Sequence, residues 1–206
     1  MGERNGKGKE YHHNGKLEFE GEYLKGKRWN GNIKEYYHDG DLKFEGEYLN
    51  GKKNGTGKEY DYDGKLEFEG EYLNGKINGK GKEYENINYG EYIIIKFEGE
   101  YLNGERNGKG KEYYDNGKLK FEGEYLNDKK NGKGKEYNFK GNLEYDGEYL
   151  NDERNGKGKL YNLFYSKLEY EGEFLNGKKH GEGKEYDYSS SGGIIFEGEF
   201  LNGKRK

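Results

Sequence analysis

Apolar and polar residues alternate with a period of two along most of this chain. In Leu66-Glu67-Phe68-Glu69-Gly70-Glu71-Tyr72, residues Leu66, Phe68, Gly70 and Tyr72 fall on one side and Glu67, Glu69 and Glu71 on the other. That alternation predicts a half-buried strand. A helix is excluded by the period and by the frequency of glycine, a poor helix former. A shorter strand, Lys58-Glu59-Tyr60, precedes it, and Asp63-Gly64 between the two supplies the positive φ angles of a tight hairpin. Asn74-Gly75 then turns the chain into the next copy. Gly70 sits on the apolar side between two aromatics, where its missing side chain predicts a slot for a ring from a neighbouring strand.

The same pattern returns along the whole chain. Glu-Gly-Glu, once Asp-Gly-Glu, centres on Gly21, Gly46, Gly70, Gly99, Gly123, Gly147, Gly172 and Gly198, at spacings of 25, 24, 29, 24, 24, 25 and 26. A second anchor, Asn-Gly-x-Gly-Lys-Glu-Tyr, is clean at 5–11, 54–60, 78–84, 107–113 and 131–137 and varied at 30–36, 155–161 and 180–186. The expectation is a single array over 1–206, with units near 1–25, 26–50, 51–74, 75–103, 104–127, 128–151, 152–176 and 177–206.

The stretch Phe44-Glu45-Gly46-Glu47-Tyr48-Leu49-Asn50-Gly51-Lys52-Lys53-Asn54-Gly55-Thr56-Gly57 resembles a MORN repeat, whose core runs aromatic-x-Gly-x-aromatic, then Gly, then Gly-x-Gly. Asp128 and Asp152 replace the turn glycine in two copies, and these residues tolerate the left-handed region. The copy from Phe19 carries an extra residue near Trp29 and has Asn32-Ile33 in place of Gly-x-Gly, which predicts an irregular turn; the copy from Phe196 to Lys206 is truncated. The resemblance implies an all-β fold: a single-layer antiparallel β-meander solenoid of eight MORN-like β-hairpin repeats. It also implies a scaffold, a dimerisation module or a membrane-proximal tether, often beside a catalytic domain. Related bacterial arrays are described as antitoxin-like.

Composition first argues against any fold. Hydrophobic residues are only 29%, charged residues 38%, and the mean hydropathy is -1.47, which approaches a disordered chain. The 23 Tyr and 10 Phe reverse that reading, because disordered chains are poor in aromatics. A core built mainly on rings is expected. Pro and Cys are absent, so there is no disulfide framework, thiolate metal site or cysteine nucleophile. The longest apolar run, Ile93-Ile94-Ile95, is far from bilayer-spanning, and the first residues carry no secretory pattern. A soluble, cytoplasmic protein is expected. The net charge of -4 supplies no global attraction to nucleic acid or acidic lipid.

Catalysis finds no support in the residues. His12, His13 and His38 fall in or beside hairpin turns, and His180 replaces the Asn of its repeat. Ser166, Ser189, Ser190 and Ser191 occupy irregular late turns without a dedicated His and Asp. The carboxylates recur identically in every unit, whereas a general acid needs surroundings that differ from the rest. Gly-Lys-Gly is not closed by Ser or Thr as a P-loop would be. Neither a catalytic group, a cofactor nor a metal is assigned.

Three surfaces remain for a partner. The aromatic row Tyr23, Tyr48, Tyr72, Tyr101, Tyr125 and Tyr149, with Phe174 and Phe200, is read as core. The inter-unit turn edge carries Lys27, Arg28, Lys52, Lys53, Lys76, Arg106, Lys129, Lys130, Arg154, Lys178 and Lys179, a basic rim that suits phosphates of membrane lipid or nucleic acid. The departures from the repeat are the most informative. Tyr89, Tyr92, Ile93, Ile94, Ile95, Leu163, Phe164, Tyr165, Ile194 and Ile195 place apolar groups where other units have Asp, Asn, Gly and Lys. They are the expected contacts of a non-catalytic module that scaffolds or blocks another protein. A homodimer through the terminal strands is a further expectation.

Overall fold

The computed structural model describes residues 3–87, 92–188 and 192–206. The described residues form strands and turns, with no helix. They fall into two compact units, Met1–Glu105 and Arg106–Lys206. The first contains β1 (Gly6–Tyr11), β2 (Leu17–Leu24), β3 (Lys27–Arg28), β4 (Gly31–Tyr36), β5 (Leu42–Leu49), β6 (Lys52–Tyr60), β7 (Leu66–Leu73), β8 (Lys76–Ile87) and β9 (Tyr92–Leu102). The second contains β10 (Glu105–Tyr113), β11 (Leu119–Leu126), β12 (Lys129–Tyr137), β13 (Leu143–Leu150), β14 (Glu153–Tyr161), β15 (Leu168–Leu175), β16 (Lys178–Tyr186), β17 (Ile194–Leu201) and β18 (Lys204–Arg205). Within each unit, strands pair antiparallel with their chain neighbours, as an open meander does. The hairpin repeats match the all-β meander expected from the sequence.

A single sheet normally needs a second layer to bury its apolar side. Here the register itself provides one surface of the core. Gly57 lies opposite both Gly46 and Gly70, so a strip of bare backbone runs across the strands. The Phe44 ring lies on that strip: a Cβ at Gly57 would stand 2.6 Å from its Cε2, and a Cβ at Gly46 2.6 Å from the Gly57 Cα. Phe44, Phe97 and Phe121 are fully buried as a result, as are Tyr145 and Tyr170 in the same slot. The two tyrosines donate their extra hydroxyls to the carbonyls of Glu148 and Glu173, at 3.1 and 3.0 Å.

Rings of successive repeats then interlock edge to face. Phe68 meets Tyr72 at 5.8 Å and Tyr101 at 5.6 Å, and Phe121 meets Tyr125 at 5.5 Å and Tyr149 at 5.2 Å, all with planes nearly perpendicular. Such pairs add roughly 0.5–1.5 kcal/mol each beyond buried area. The expected departure near Trp29 is present. β3 and β4 are separate short strands there, and Ile33 takes the place of a glycine, packing with Phe19 and Tyr23.

The inter-unit turns follow their residues. Asn50 and Gly51 both hold positive φ, 53° and 76°, as a two-residue hairpin turn requires. Asp128 (φ 66°) and Asp152 (φ 72°) hold the glycine's place; their carboxylates accept from the Arg106 and Lys130 amides at 2.8 Å. The second carboxylate of Glu-Gly-Glu also caps the ladder. The strand register slips between Gly70 and Tyr72, and Glu71 accepts the Lys80 amide at 3.0 Å across the slip. Glu124 and Glu148 do the same for Lys133 and Lys157, both at 3.2 Å. Each cap satisfies a donor that the ladder leaves out.

Gly57→Val therefore forces the Phe44 ring off its seat. Denaturant unfolding should show a loss of about 3 kcal/mol, and an unchanged midpoint would mean that the ring does not rest on this glycine.

Candidate functional site

Neighbouring residues of a strand point to opposite faces, and this divides the basic edge in two. Lys27, Lys52, Lys76, Lys129 and Lys178 are exposed, whereas Arg28, Lys53, Arg106, Lys130, Arg154 and Lys179 are half-buried. The second set folds over the aromatic face. The Lys53 ammonium lies 4.2 Å from the Phe44 centroid and 2.6 Å from Glu59. Arg28 covers Phe19 at 4.3 Å, Lys130 covers Phe121 at 4.3 Å, Arg154 covers Tyr145 at 4.8 Å and Lys179 covers Tyr170 at 4.8 Å. Arg106 pairs with Glu112 at 3.3 Å. The five cations that lie over rings roof the core rather than line an outer rim. The exposed set is itself interrupted, because Glu105 and Glu153 stand where other repeats have lysine.

Each roof closes on a glutamate from the Lys-Glu-Tyr segment. Arg154 reaches Glu136 at 2.6 Å, and the Tyr149 hydroxyl donates to the same oxygen at 3.2 Å. Burial alone raises the Glu136 carboxyl, but the Arg154 guanidinium, helped by Lys130 and Tyr149, outweighs it and holds the group below the usual carboxylate range. On the opposite face Tyr60 donates to Glu45 and Tyr137 to Glu122, both at 2.7 Å. Desolvation and those carboxylates push both phenols up to about 12.

The hairpin-turn edge carries the apolar departures. In the first unit the β8–β9 hairpin continues through the pairs Glu85–Ile94, Asn86–Ile93 and Ile87–Tyr92. Tyr92 and Ile93 are exposed and Ile94 and Ile95 half-buried, while Tyr89 lies outside the described residues. In the second unit Leu163, Phe164, Tyr165, Ile194 and Ile195 are all exposed, Phe164 at 83%. Asn162 fixes that turn by accepting the amides of Phe164 and Tyr165 at 3.0 and 3.2 Å. The Tyr165 ring stacks on Tyr188 at 6.2 Å, tying this turn to the next.

Other apolar groups, half-buried at Tyr37 and Tyr114 and exposed at Tyr62 and Phe139, escaped the sequence reading. Tyr37 stacks on Tyr62 at 4.0 Å, and Tyr114 meets Phe139 at 5.8 Å. Their signal was an aromatic just after Lys-Glu-Tyr. Leu49 and Leu73 in the first unit, and Leu126 and Leu150 in the second, are each about half exposed on the glutamate side. Strand parity from Phe68 through Tyr72 already places Leu73 there.

His12 and His13 each pack against the His38 ring, at 5.0 and 4.8 Å. Among the described residues no group of three or more His, Cys, Asp or Glu is placed to hold a metal. Ser166 sits in a turn with φ 53°, and Ser189, Ser190 and Ser191 lie outside the described residues. No described helix is long and apolar enough to cross a membrane.

Because Glu136 is held low in the folded state, it contributes stability above the ordinary carboxylate value of about 4.3. That contribution is lost as pH falls through its lower folded value. Arg154→Met keeps the apolar cover but removes the lowering charge. Its acid unfolding, followed by near-ultraviolet circular dichroism, should begin at higher pH than that of the unchanged chain.

The family model described as "MORN repeat" matches residues 44–65, 68–86, 121–142, 145–162, 170–191 and 196–206. The model described as "MORN repeat variant" matches 4–25, 29–50 and 106–127. No curated protein matches the chain. The matched segments carry most of the glycine strips, interlocked rings and inter-unit turns. The chain belongs to the MORN-repeat family.

Proposed function

We propose that this chain is a non-catalytic protein-binding module that captures a partner, to scaffold or to block it, through the apolar hairpin-turn edge. MORN repeats generally bind proteins or membranes. The observation that carries the reading is the exposure of Leu163, Phe164 and Tyr165 on a turn held rigid by Asn162. Exposed aromatic groups on a fixed turn lose little entropy when buried by a partner. The charged clusters also support a non-catalytic role. Glutamate–cation pairs recur in most repeats, so none of the pairs described has the singular surroundings that acid–base chemistry needs.

A membrane tether is the second reading, favoured by one observation. Leu49 lies opposite Lys52 and Leu73 opposite Lys76, so an apolar and a cationic side chain share each of these turns. Such pairs suit an anionic lipid surface. Liposome flotation at low and physiological salt tests it, and absence of binding at both removes it. Nucleic-acid binding through the rim is weaker, because roughly half of its cations serve the core.

Phe164→Ser combined with Leu163→Ser should leave the thermal unfolding midpoint nearly unchanged. Loss of two buried anchors should weaken capture of the partner by about 30-fold, read by affinity purification and quantitative mass spectrometry. Ile93→Ser tests the first unit in the same way. Capture that survives all three substitutions rejects this edge.

A further inference from the structure

One repeat in the first unit has an apolar roof, and this leaves a carboxylate unmatched. Ile77 lies opposite Tyr72, as Arg28 lies opposite Tyr23, Lys53 opposite Tyr48, Arg154 opposite Tyr149 and Lys179 opposite Phe174. Arg28, Arg154 and Lys179 each reach back to the glutamate just before the core ring: Glu18 at 2.7 Å, Glu144 at 4.0 Å and Glu169 at 3.7 Å. The same place before Phe68 is Glu67, and an isoleucine offers it no charge. Among the described residues no cation pairs with Glu67, and the preceding roof, Lys53, is committed to Glu59 at 2.6 Å.

The strand register fixes where this carboxylate goes. Glu59 faces Phe68 and Tyr60 faces Leu66, so the pairing steps over Glu67. The same step passes over Glu18, Glu144 and Glu169, whose contacts show that such a side chain turns towards the roof. Burial, Asp61 and Glu59 push the Glu67 carboxyl up with no cation opposing them, whereas Arg154 opposes the same effects at Glu144.

The surroundings suit a guanidinium. Tyr37 stacks on Tyr62 at 4.0 Å, and Tyr62 is 70% exposed. Burial and then Glu67 raise the Tyr37 phenol, which puts the carboxylate beside the stack. The stack is held in place: the Tyr37 hydroxyl donates to the Tyr60 carbonyl at 2.7 Å, and Asp61 accepts the amides of Asp63 and Lys65 at 3.0 and 2.8 Å. A planar cation can pair with the carboxylate while it lies against rings. A metal ion fits less well, because no group of three or more His, Cys, Asp or Glu among the described residues is placed to hold one.

We propose that this place on the hairpin-turn edge takes an arginine from a basic segment of the protein partner, its guanidinium pairing with Glu67 against the Tyr37–Tyr62 stack. Arg28 sets the pattern within the chain, where it pairs with Glu18 and lies 4.3 Å from the Phe19 centroid. The inference rests on reading that edge as the partner site, and it names the chemistry that the site selects. Asn86 joins the two surfaces. Its side chain donates to Asp61 at 3.2 Å, and it lies opposite the exposed Ile93 in the β8–β9 hairpin.

Fluorescence anisotropy with a labelled hexa-arginine peptide at physiological salt tests this on the full chain. The chain should bind the peptide, and Glu67→Gln should weaken binding about tenfold through loss of one charge pair. Ile77→Arg should weaken it as much, because the missing roof cation is then supplied from within. Other repeats hold arginine at that position, so its thermal midpoint should not fall. Glu153→Gln removes an exposed carboxylate of the second unit and should change binding by less than about twofold. An equal loss with Glu153→Gln would mean general attraction to a chain of net charge -4 and overturns the proposal. So does an absence of binding, or displacement of the peptide by equimolar calcium, which would assign the place to a metal. Binding that ignores Glu67 and Ile77, while partner capture still needs Phe164, removes this inference alone. Binding that needs them, while capture survives Phe164→Ser, Leu163→Ser and Ile93→Ser, rejects the apolar edge and leaves the arginine site.

Discussion

Everything in this molecule depends on an aromatic ring held between bare backbone and a cation. A meander one sheet thick has no opposing layer, so its apolar side would face water. The repeat solves this within each unit. Paired glycines such as Gly46 and Gly57 lower the sheet surface, Phe44 settles against it, and the Lys53 stem and ammonium close over the top. The ammonium needs its own partner in that half-buried place, and Glu59 supplies one. An exposed ion pair contributes little. Here it matters because the pair sits over a ring and keeps water from it.

This arrangement explains how so polar a sequence folds. The apolar content is low because the cover of the core is made by charged side chains, whose hydrocarbon stems pack while their heads pair. Arg154, Glu136 and Tyr149 form one such set, and Lys179 and Glu185 another. Ile77 occupies the cation's position in one repeat. An apolar roof is therefore accepted where it occurs, and the ion pair is one of two solutions to the same packing problem.

Much of this was legible in the chain, and the misses have physical causes. Strand alternation, the Asn-Gly turns and the substitutions Asp128 and Asp152 all follow from local φ preferences, and the observed dihedrals agree. The slot at Gly70 was readable because a glycine between two aromatics has few other uses. The doublet Lys52-Lys53 obeys the same alternation as the glutamate rows, yet reading it as one rim ignored that its members face opposite ways. The cap made by Glu71 was beyond local reading, since it exists only where two strands slip by a residue. The stacked Tyr37 and Tyr62 come from different hairpins, so their meeting depends on how repeats stack. Of the departures, Phe164 was found from its sequence neighbours alone, whereas Ile94 and Ile95 are half-covered by the lengthened hairpin.

The doublet before each second anchor has a consequence for alignment of the strands. Where it reads Lys-Lys, as at Lys52-Lys53 or Lys129-Lys130, a slip by one position would put a lysine in the roof either way. Where it reads Glu-Arg, as at Glu105-Arg106 and Glu153-Arg154, the same slip would set a carboxylate above the negative face of a ring and beside another carboxylate. Mixed doublets thus act as phase markers. They penalise misthreaded pairings that a uniformly lysine-bearing array would tolerate, and they give otherwise interchangeable hairpins a preferred alignment while the sheet assembles.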